Sequence, residues 1–480
     1  MPSISPALLA LALLVEAPPA APAPGSPAAA TPPRAAPEAA PGEGVEATPE
    51  DLLAVRRYTV ERVEFRGLRH ARADEVARHV LVAPGDLLDQ ERVLLSRLRL
   101  LQLGWFSRVE TRVQRGSERG LVVLVFEVVE RNTLVVSDLV FGSTEAQPFY
   151  GGLGLSQQNF LGRGLGLSGA FVYGGAPHGR PDDPARFAVR GGFFAPDLVA
   201  GRLPPLVFGV SGVFLRGEEL ACGDAECEAF SSDLARAPRV RYQRTGGEVT
   251  LGFRPGPFER LSGTFHFERV HATGVDLTLG VEGATPAVLP GWSNDASLTG
   301  TYEIDTREDF FFPTEGFRGV AQVTLGSRLL GGGYEYSRYL LQLETGYVLL
   351  GKRLRLQSAV GAVQGGAPFF DRFYAADFSY FAVGPALGRA LELNFSTDSR
   401  YDAFLAMGGA EYGVPLWSRG AFFQRGYLAF GVRGVWSSAT LGGGRTKYSR
   451  TPVSADLALR LDTPVGTFNA SLAYALDNVL

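Results

Sequence analysis

The sequence predicts a mainly β protein: a transmembrane antiparallel β-barrel of about 15–16 strands, preceded by one small α+β domain. Three observations carry this. From Asn132 onward, apolar and polar residues alternate in about fifteen segments of roughly 9–16 residues, with no helical period. The connections between those segments alternate short and long. Residues 57–131 differ, with two helical stripes set among three strand-like runs.

The first elements concern export. Ala7–Val15, "ALLALALLV", is an apolar core of signal-peptide length, and Ala21-Pro22-Ala23 offers a small-residue cleavage site. Residues 1–23 are therefore expected to be a signal peptide, with a short buried helix as the alternative. Residues 24–56 are mostly Pro, Ala, Gly and Glu, a composition that buries no core and reads as a flexible linker.

The front domain follows. "YTVERVEFRG" alternates like a strand and stops at Gly67. "RADEVARHVLV" places Val76, Ala77 and Val80 at helical spacing, and Ala83-Pro84-Gly85-Asp86 breaks it. Asp89 can cap a second helix whose expected apolar stripe is Val93, Leu94, Leu98 and Leu101, with Gly104 as its stop. "WFSRVETRVQ" and "GLVVLVFEVVE" then read as two strands joined at Gly116–Gly120. The order is β-α-α-β-β.

Residues 132–480 are expected to form the barrel. In "DASLTGTYEI", Ala296, Leu298, Gly300, Tyr302 and Ile304 share one face, against Asp295, Ser297, Thr299, Thr301 and Glu303. In "RLSGTFHFE", Leu261, Gly263, Phe265 and Phe267 oppose Arg260, Ser262, Thr264, His266 and Glu268. A soluble sandwich would alternate similarly, so the loops decide. Short connections at 161–164, 255–257, 351–353, 417–420 and 463–466 interleave with long ones at 174–184, 217–238, 273–292, 366–400 and 437–451. That asymmetry is the outer-membrane barrel pattern, and only a closed barrel satisfies β backbone groups in lipid. Tyr334, Tyr336 and Tyr339 are expected in the interfacial aromatic girdle. The strand count comes out odd, which makes the first and last strands parallel and predicts a poorly bonded seam between them; the alternative is a further strand within 217–238 or 366–400 and conventional closure.

Other chemistry is sparse. A net charge of −4 points to no nucleic acid. Cys222 and Cys227 have no second pair and no nearby His, so a metal site lacks ligands. In an oxidising compartment they are expected to form a disulfide within one loop; two free thiols are the alternative. His266 has no positioned Ser or Asp motif, and "GLSGA" and "GVSGV" lack the spacing of a nucleophile elbow. No enzyme and no cofactor are expected. Arg239, Arg241, Arg244, Arg260 and Arg338 form either a basic lumen wall or, the favoured reading, a set balanced by Glu248, Glu268, Glu303 and Glu344.

"IDTREDFFFPTEGFRG" (Ile304–Gly319) crowds acids beside Arg307 without His or a nucleophile. It reads as a periplasmic turn in which Asp305 and Asp309 accept from turn amides, Pro313 fixes φ and Gly316 permits reversal.

These segments resemble a known family. "VEFRG", "LQLGWFSRVETRV" and "VVLVFEVVER" resemble a POTRA repeat, whose most recognisable step is Gly104-Trp105-Phe106 after the earlier Gly67. The barrel resembles the BamA/TamA family of bacterial surface antigens. The matching parts are the Asn159-x-x-Gly162-x-Gly164 turn, "DTREDFFFPTEGFR" with Asp305, Arg307, Asp309, Pro313, Thr314 and Gly316, and "RLDTPVGTFNASLAYAL". The resemblance implies an outer-membrane barrel with a periplasmic POTRA domain. That domain would receive unfolded outer-membrane or secreted client proteins, alongside outer-membrane lipid and periplasmic accessory proteins. It implies insertion or translocation through the barrel seam, with a two-partner-type secretion pore or a passive solute or lipid channel as alternatives. It also implies a lumenal latch in the 366–400 loop, with Arg389 the nearest candidate for its arginine and Glu411 for the acidic partner. One more strand ending in an aromatic would follow Leu480.

Overall fold

In a computed structural model, the structure describes residues 58–142, 149–175, 185–196, 205–220, 239–274, 288–307, 315–375, 400–417, 422–438, 453–463 and 466–476. The expected signal peptide, linker and Cys222–Cys227 disulfide lie outside these residues, as do Asp309, Pro313, Thr314 and Arg389.

The front domain is β1 (Thr59–Arg66), α1 (Ala73–Ala77), α2 (Gln90–Gln102), β2 (Phe106–Arg115) and β3 (Leu121–Glu130). The sheet order is β1-β3-β2; β1 runs parallel to β3 and β2 antiparallel to it. Alternation puts Val60, Leu124 and Phe126 under the helices, where they pack with Val76, Val93, Leu100, Trp105 and Phe106. Gly67 reverses the chain after β1 at φ +93, and a Cβ there would stand 2.1 Å from the Val128 carbonyl oxygen.

Asp89 caps α2, its carboxylate accepting from Glu91 N at 2.9 Å. The buried stripe of α2 differs from the expected one. It is Val93, Ser96 and Leu100, while Leu94 is 52% exposed. The reason is polar. The Ser96 hydroxyl donates to Arg92 O at 2.6 Å and accepts from Leu81 N at 2.9 Å, so a serine ties the α1–α2 connection down inside the core. With Leu81 N directed to Ser96, α1 stops at Ala77 instead of running through Val80.

The barrel strands are β4 (Leu134–Gly142), β5 (Tyr150–Phe160), β6 (Leu165–Gly174), β7 (Arg186–Ala195), β8 (Leu206–Leu220), β9 (Arg239–Phe253), β10 (Glu259–Gly274), β11 (Gly291–Asp305), β12 (Gly316–Gly326), β13 (Tyr336–Leu349) and β14 (Lys352–Gly365). A small ladder of β15 (Phe373–Ala375) with β16 (Arg400–Asp402) interrupts the series. It resumes with β17 (Phe404–Trp417), β18 (Arg425–Ser438), β19 (Val453–Thr463) and β20 (Gly466–Leu476). These form one 15-stranded sheet in chain order, each strand antiparallel to its neighbours. The register slips only at bulges, as between Val136 and Asp138.

Alternation sorts the faces as expected. Leu261, Phe265, Phe267, Leu298 and Tyr302 are exposed on the outside, whereas Ser262, Glu268, Asp295 and Ser297 are buried inside. The tyrosines depart from expectation. Tyr339 faces outward, but Tyr334 and Tyr336 are buried at 6% exposure and belong to a lumenal cluster with Phe373 and Val363. Tyr336 has the parity of Arg338 and Glu344 on β13; Tyr339 stands three positions further on, an odd offset, so the two cannot share a face.

Candidate functional site

The lumen is lined by paired charges. Arg190 and Glu248 lie 3.0 Å apart, Arg244 and Glu268 2.6 Å, and Glu303 pairs with both Arg260 and Arg318. Glu344 accepts from Arg307 and Arg355, each at 2.9 Å. Of the expected set, Arg244 and Arg260 are offset by Glu268 and Glu303, whereas Glu248 and Glu344 pair with Arg190, Arg307 and Arg355. Arg241 has the opposite parity to Arg244 on its strand and faces outward, and no uniformly basic wall forms among the described residues. Burying such ions requires that partnership. Arg338 instead lies over the Phe373 ring, 4.7 Å from its centroid. His266 stands among Glu248, Glu268 and Asp295 at 3.4–3.6 Å, a polar lumen residue as expected.

Glu411 is a buried ion-pair partner; among the described residues, which do not include Arg389, the arginines on it are Arg460 at 2.7 Å and Arg355 at 3.7 Å. Both come from barrel strands. Asp305 and Arg307 behave as a turn: Asp305 accepts from Arg307 N at 3.1 Å and pairs with its guanidinium at 2.6 Å. Gly316 holds φ +104, where a Cβ would stand 2.6 Å from Arg307 Cα.

The described stem of the 366–400 loop enters the lumen. Phe369 and Phe370 are buried in an apolar cluster with Leu215, Val240, Tyr242 and Val270 from the strands. Phe369 meets Tyr242 edge-on at 5.0 Å, and the Arg244 guanidinium lies 4.0 Å over Phe370. Tyr336 donates to the Asp371 carboxylate at 2.9 Å. A lumenal cavity of about 560 Å³, lined by Arg190, Thr264, His266 and Phe370, lies against this plug. The sequence shows Phe369-Phe370 just after Pro368, but the surrounding segment is itself rich in Phe, Ala and Leu, so nothing singles the pair out.

The front domain docks on the barrel's short-turn side, and the two pack as one unit. Trp105 Nε1 donates to Gln158 O at 3.1 Å, and Arg72 N donates to Gly162 O at 3.3 Å. The Asn159 side chain accepts from Gly164 N at 2.8 Å and shapes the turn being read. Gly162 is required there: at φ +68, a Cβ would stand 2.2 Å from His70 O. Gln102 Nε2 donates to Asp305 O and Arg307 O at 3.1 and 2.8 Å. The Gly104-Trp105-Phe106 step and the Asn159–Gly164 turn, separate in sequence, are thus two sides of one joint. Gly104 itself holds φ +72 against the Gln158 side chain.

The sheet's edges are β4 and β20, which lie side by side. Among the described residues no ladder joins them. With fifteen strands alternating in direction, these two run parallel. Across the base of the seam, Arg131, just ahead of β4, reaches Asp462 on β19 at 2.8 Å. Asp462 also holds Arg425 at 2.6 Å and is only 2% exposed.

Comparison with known proteins agrees with this geometry. Residues 159–479 match the Omp85 superfamily domain, and residues 58–131 match the POTRA family, described as a surface antigen variable number repeat. A Treponema pallidum (strain Nichols) protein named "Putative outer membrane protein assembly factor" is 30% identical over 119 residues. That match covers 23% of this chain and 14% of the relative's length. CdiB from Escherichia coli superposes with a TM-score of 0.59 at 10% identity, covering 88% of this chain and 73% of that one. CdiB from Acinetobacter baumannii gives 0.50 at 12% identity, covering 88% and 71%. A polar-lined barrel with a POTRA domain docked beneath it is an outer-membrane protein whose POTRA domain lies in the periplasm, and the chain belongs to the Omp85 superfamily.

Proposed function

We propose that this protein receives unfolded client proteins at its POTRA domain and passes them to the barrel seam, for insertion into the outer membrane or translocation across it. The observation that carries this is the seam. Two parallel edge strands in lipid leave backbone donors and acceptors without ladder partners, which is costly in hydrocarbon. A client strand that pairs with such an edge removes that cost. The POTRA sheet offers a second edge at β2 on the periplasmic side, and strand addition there is the general way an extended peptide is held. No cofactor enters the scheme, and the polar lumen residues serve structure; the protein acts without catalysing a covalent step.

The occupied lumen supports the seam as the route. Phe369 and Phe370 fill the space between the strands, which weighs against a passive solute channel. Accessory periplasmic proteins would meet the exposed faces of the POTRA domain. The test is depletion in the native host followed by a census of outer-membrane proteins. Broad loss of barrels supports insertion, and loss of one secreted protein supports translocation. An unchanged census contradicts the proposal.

A further inference from the structure

The outward face of β8–β11 changes character abruptly near the outer rim. On β8 the outward residues Leu206, Phe208, Val210, Gly212 and Phe214 are apolar or small, and Arg216 follows. On β10 the exposed Leu261, Phe265 and Phe267 are followed by Arg269 and His271. Strand register brings these changes to one level. Arg216 pairs with Gln243, Gln243 with His271, and His271 with Trp292. One step toward the membrane, Arg269 sits between Thr245 and Asn294. One step away, Arg241 lies between Glu218 and Thr273.

The level is the outer headgroup region. Arg216 stands ten residues beyond Leu206, the membrane-facing residue at the short-turn end of β8. At about 3.4 Å per residue and a tilt near 40°, that is about 26 Å, just past the apolar band of about 25 Å. An arginine at the bilayer midplane is expensive, but at this level it meets phosphate.

The group is also shaped. Trp292 is 57% exposed, and the Arg269 guanidinium lies 4.2 Å over its ring. The His271 ring tilts against the same indole at 4.4 Å. A cleft of about 370 Å³ opens beside them, lined by Arg186, Arg216, Arg241 and His271, with Glu218 as the acid among its described residues. Glu218 lies 3.6 Å from Arg241. Arg216 and His271 bring their donors to the outward side of this cleft, near the level of Arg269, where they can meet an anion.

We infer that this face of β8–β11 binds the phosphate-bearing headgroup of an anionic lipid in the outer leaflet. The arginines hold the phosphate, Trp292 anchors at the headgroup–acyl boundary, and the acyl chains lie along Phe214, Phe267 and Phe265 below. The site would fix the barrel's height and tie this wall to one class of lipid while the seam, on the β4–β20 side, stays free. It does not depend on what the seam transports.

The test uses the full-length protein in detergent micelles and native mass spectrometry. The probes are bis-phosphorylated lipid A, its dephosphorylated form and inorganic phosphate. Bis-phosphorylated lipid A is expected to remain bound as a one-to-one adduct after the dephosphorylated form has dissociated. Arg216→Gln/Arg269→Gln should bind it roughly 30-fold more weakly, the effect of two arginines near an anionic surface. Arg328→Gln, at an exposed position outside the cluster, should leave binding unchanged. Heat-modified mobility verifies that each barrel is folded. Should the double variant not fold, the comparison of the two lipid forms on the unaltered protein still decides. Equal retention of both forms, capture of inorganic phosphate without lipid preference, or an equal loss from Arg328→Gln would each overturn the site.

Discussion

Asp462 should be worth more than either arginine it holds. Its carboxylate, 2% exposed, meets Arg131 at 2.8 Å and Arg425 at 2.6 Å. Asp462→Asn leaves two guanidiniums facing a neutral amide, and the Arg131 side chain is itself only 9% exposed. Breaking a buried pair in that way costs about 3–5 kcal/mol. Arg131→Gln is milder, because Arg425 still holds the carboxylate; the loss should be near that of one charged hydrogen bond, about 1.5–3 kcal/mol. The two changes share one interaction, so the double variant should lose little beyond Asp462→Asn alone, a coupling of about 1–3 kcal/mol. Urea unfolding of the full chain in detergent, followed by heat-modified mobility, reads the cycle. The pair also bridges the base of the seam, so cysteines flanking the seam should crosslink less uniformly in Arg131→Gln. Strict additivity of the two single changes would mean that Arg131 and Asp462 do not act on one another.

Two further outcomes follow from the plug and from the POTRA core. Phe369→Ala/Phe370→Ala removes two rings from the lumenal cluster, so ion conductance across a planar bilayer should rise several-fold; an unchanged conductance means that the plug does not obstruct the lumen. His79 is 2% exposed and lies edge-on to Trp105 at 5.7 Å. Burial, reinforced by Arg254, Arg99 and Arg78, pushes its imidazole from 6.5 down to about 3. The unfolded chain therefore binds a proton that the folded domain refuses. POTRA stability is full above about pH 6.5 and falls as pH drops toward 3, by about 2 kcal/mol at pH 5 and about 4–5 kcal/mol in total. Hydrogen exchange of POTRA amides in the full chain should show that acid loss, and His79→Phe should flatten it; an unchanged pH slope in the variant removes His79 as the cause.

The barrel was legible because its physics is periodic. Lipid outside and water inside force a two-residue alternation, and segments such as Asp295–Ile304 display it without ambiguity. The POTRA domain was legible from Gly67, Gly104 and Asp89, where turns and caps demand particular residues. What stayed hidden depended on partners distant in sequence. Ser96 is buried because it satisfies Leu81 N, a contact that no periodicity announces. Tyr334 and Tyr336 turn inward to meet Ser293 and Asp371. Glu411 was visible as a paired acid, but Arg460, 49 residues away, was not visible as its partner. The docking of Trp105 on the Asn159 turn joins two motifs whose individual shapes say nothing of each other.

If clients pass at the seam between β4 and β20, locking that seam must stop them. Cysteine pairs scanned along Leu134–Gly142 and Gly466–Leu476, in a background carrying Cys222→Ser and Cys227→Ser, would be oxidised in living cells. A locked seam should stop the appearance of client proteins in the outer membrane or outside the cell, and reductant should restore it. Normal client delivery by a barrel whose seam is fully crosslinked would show that clients do not pass there.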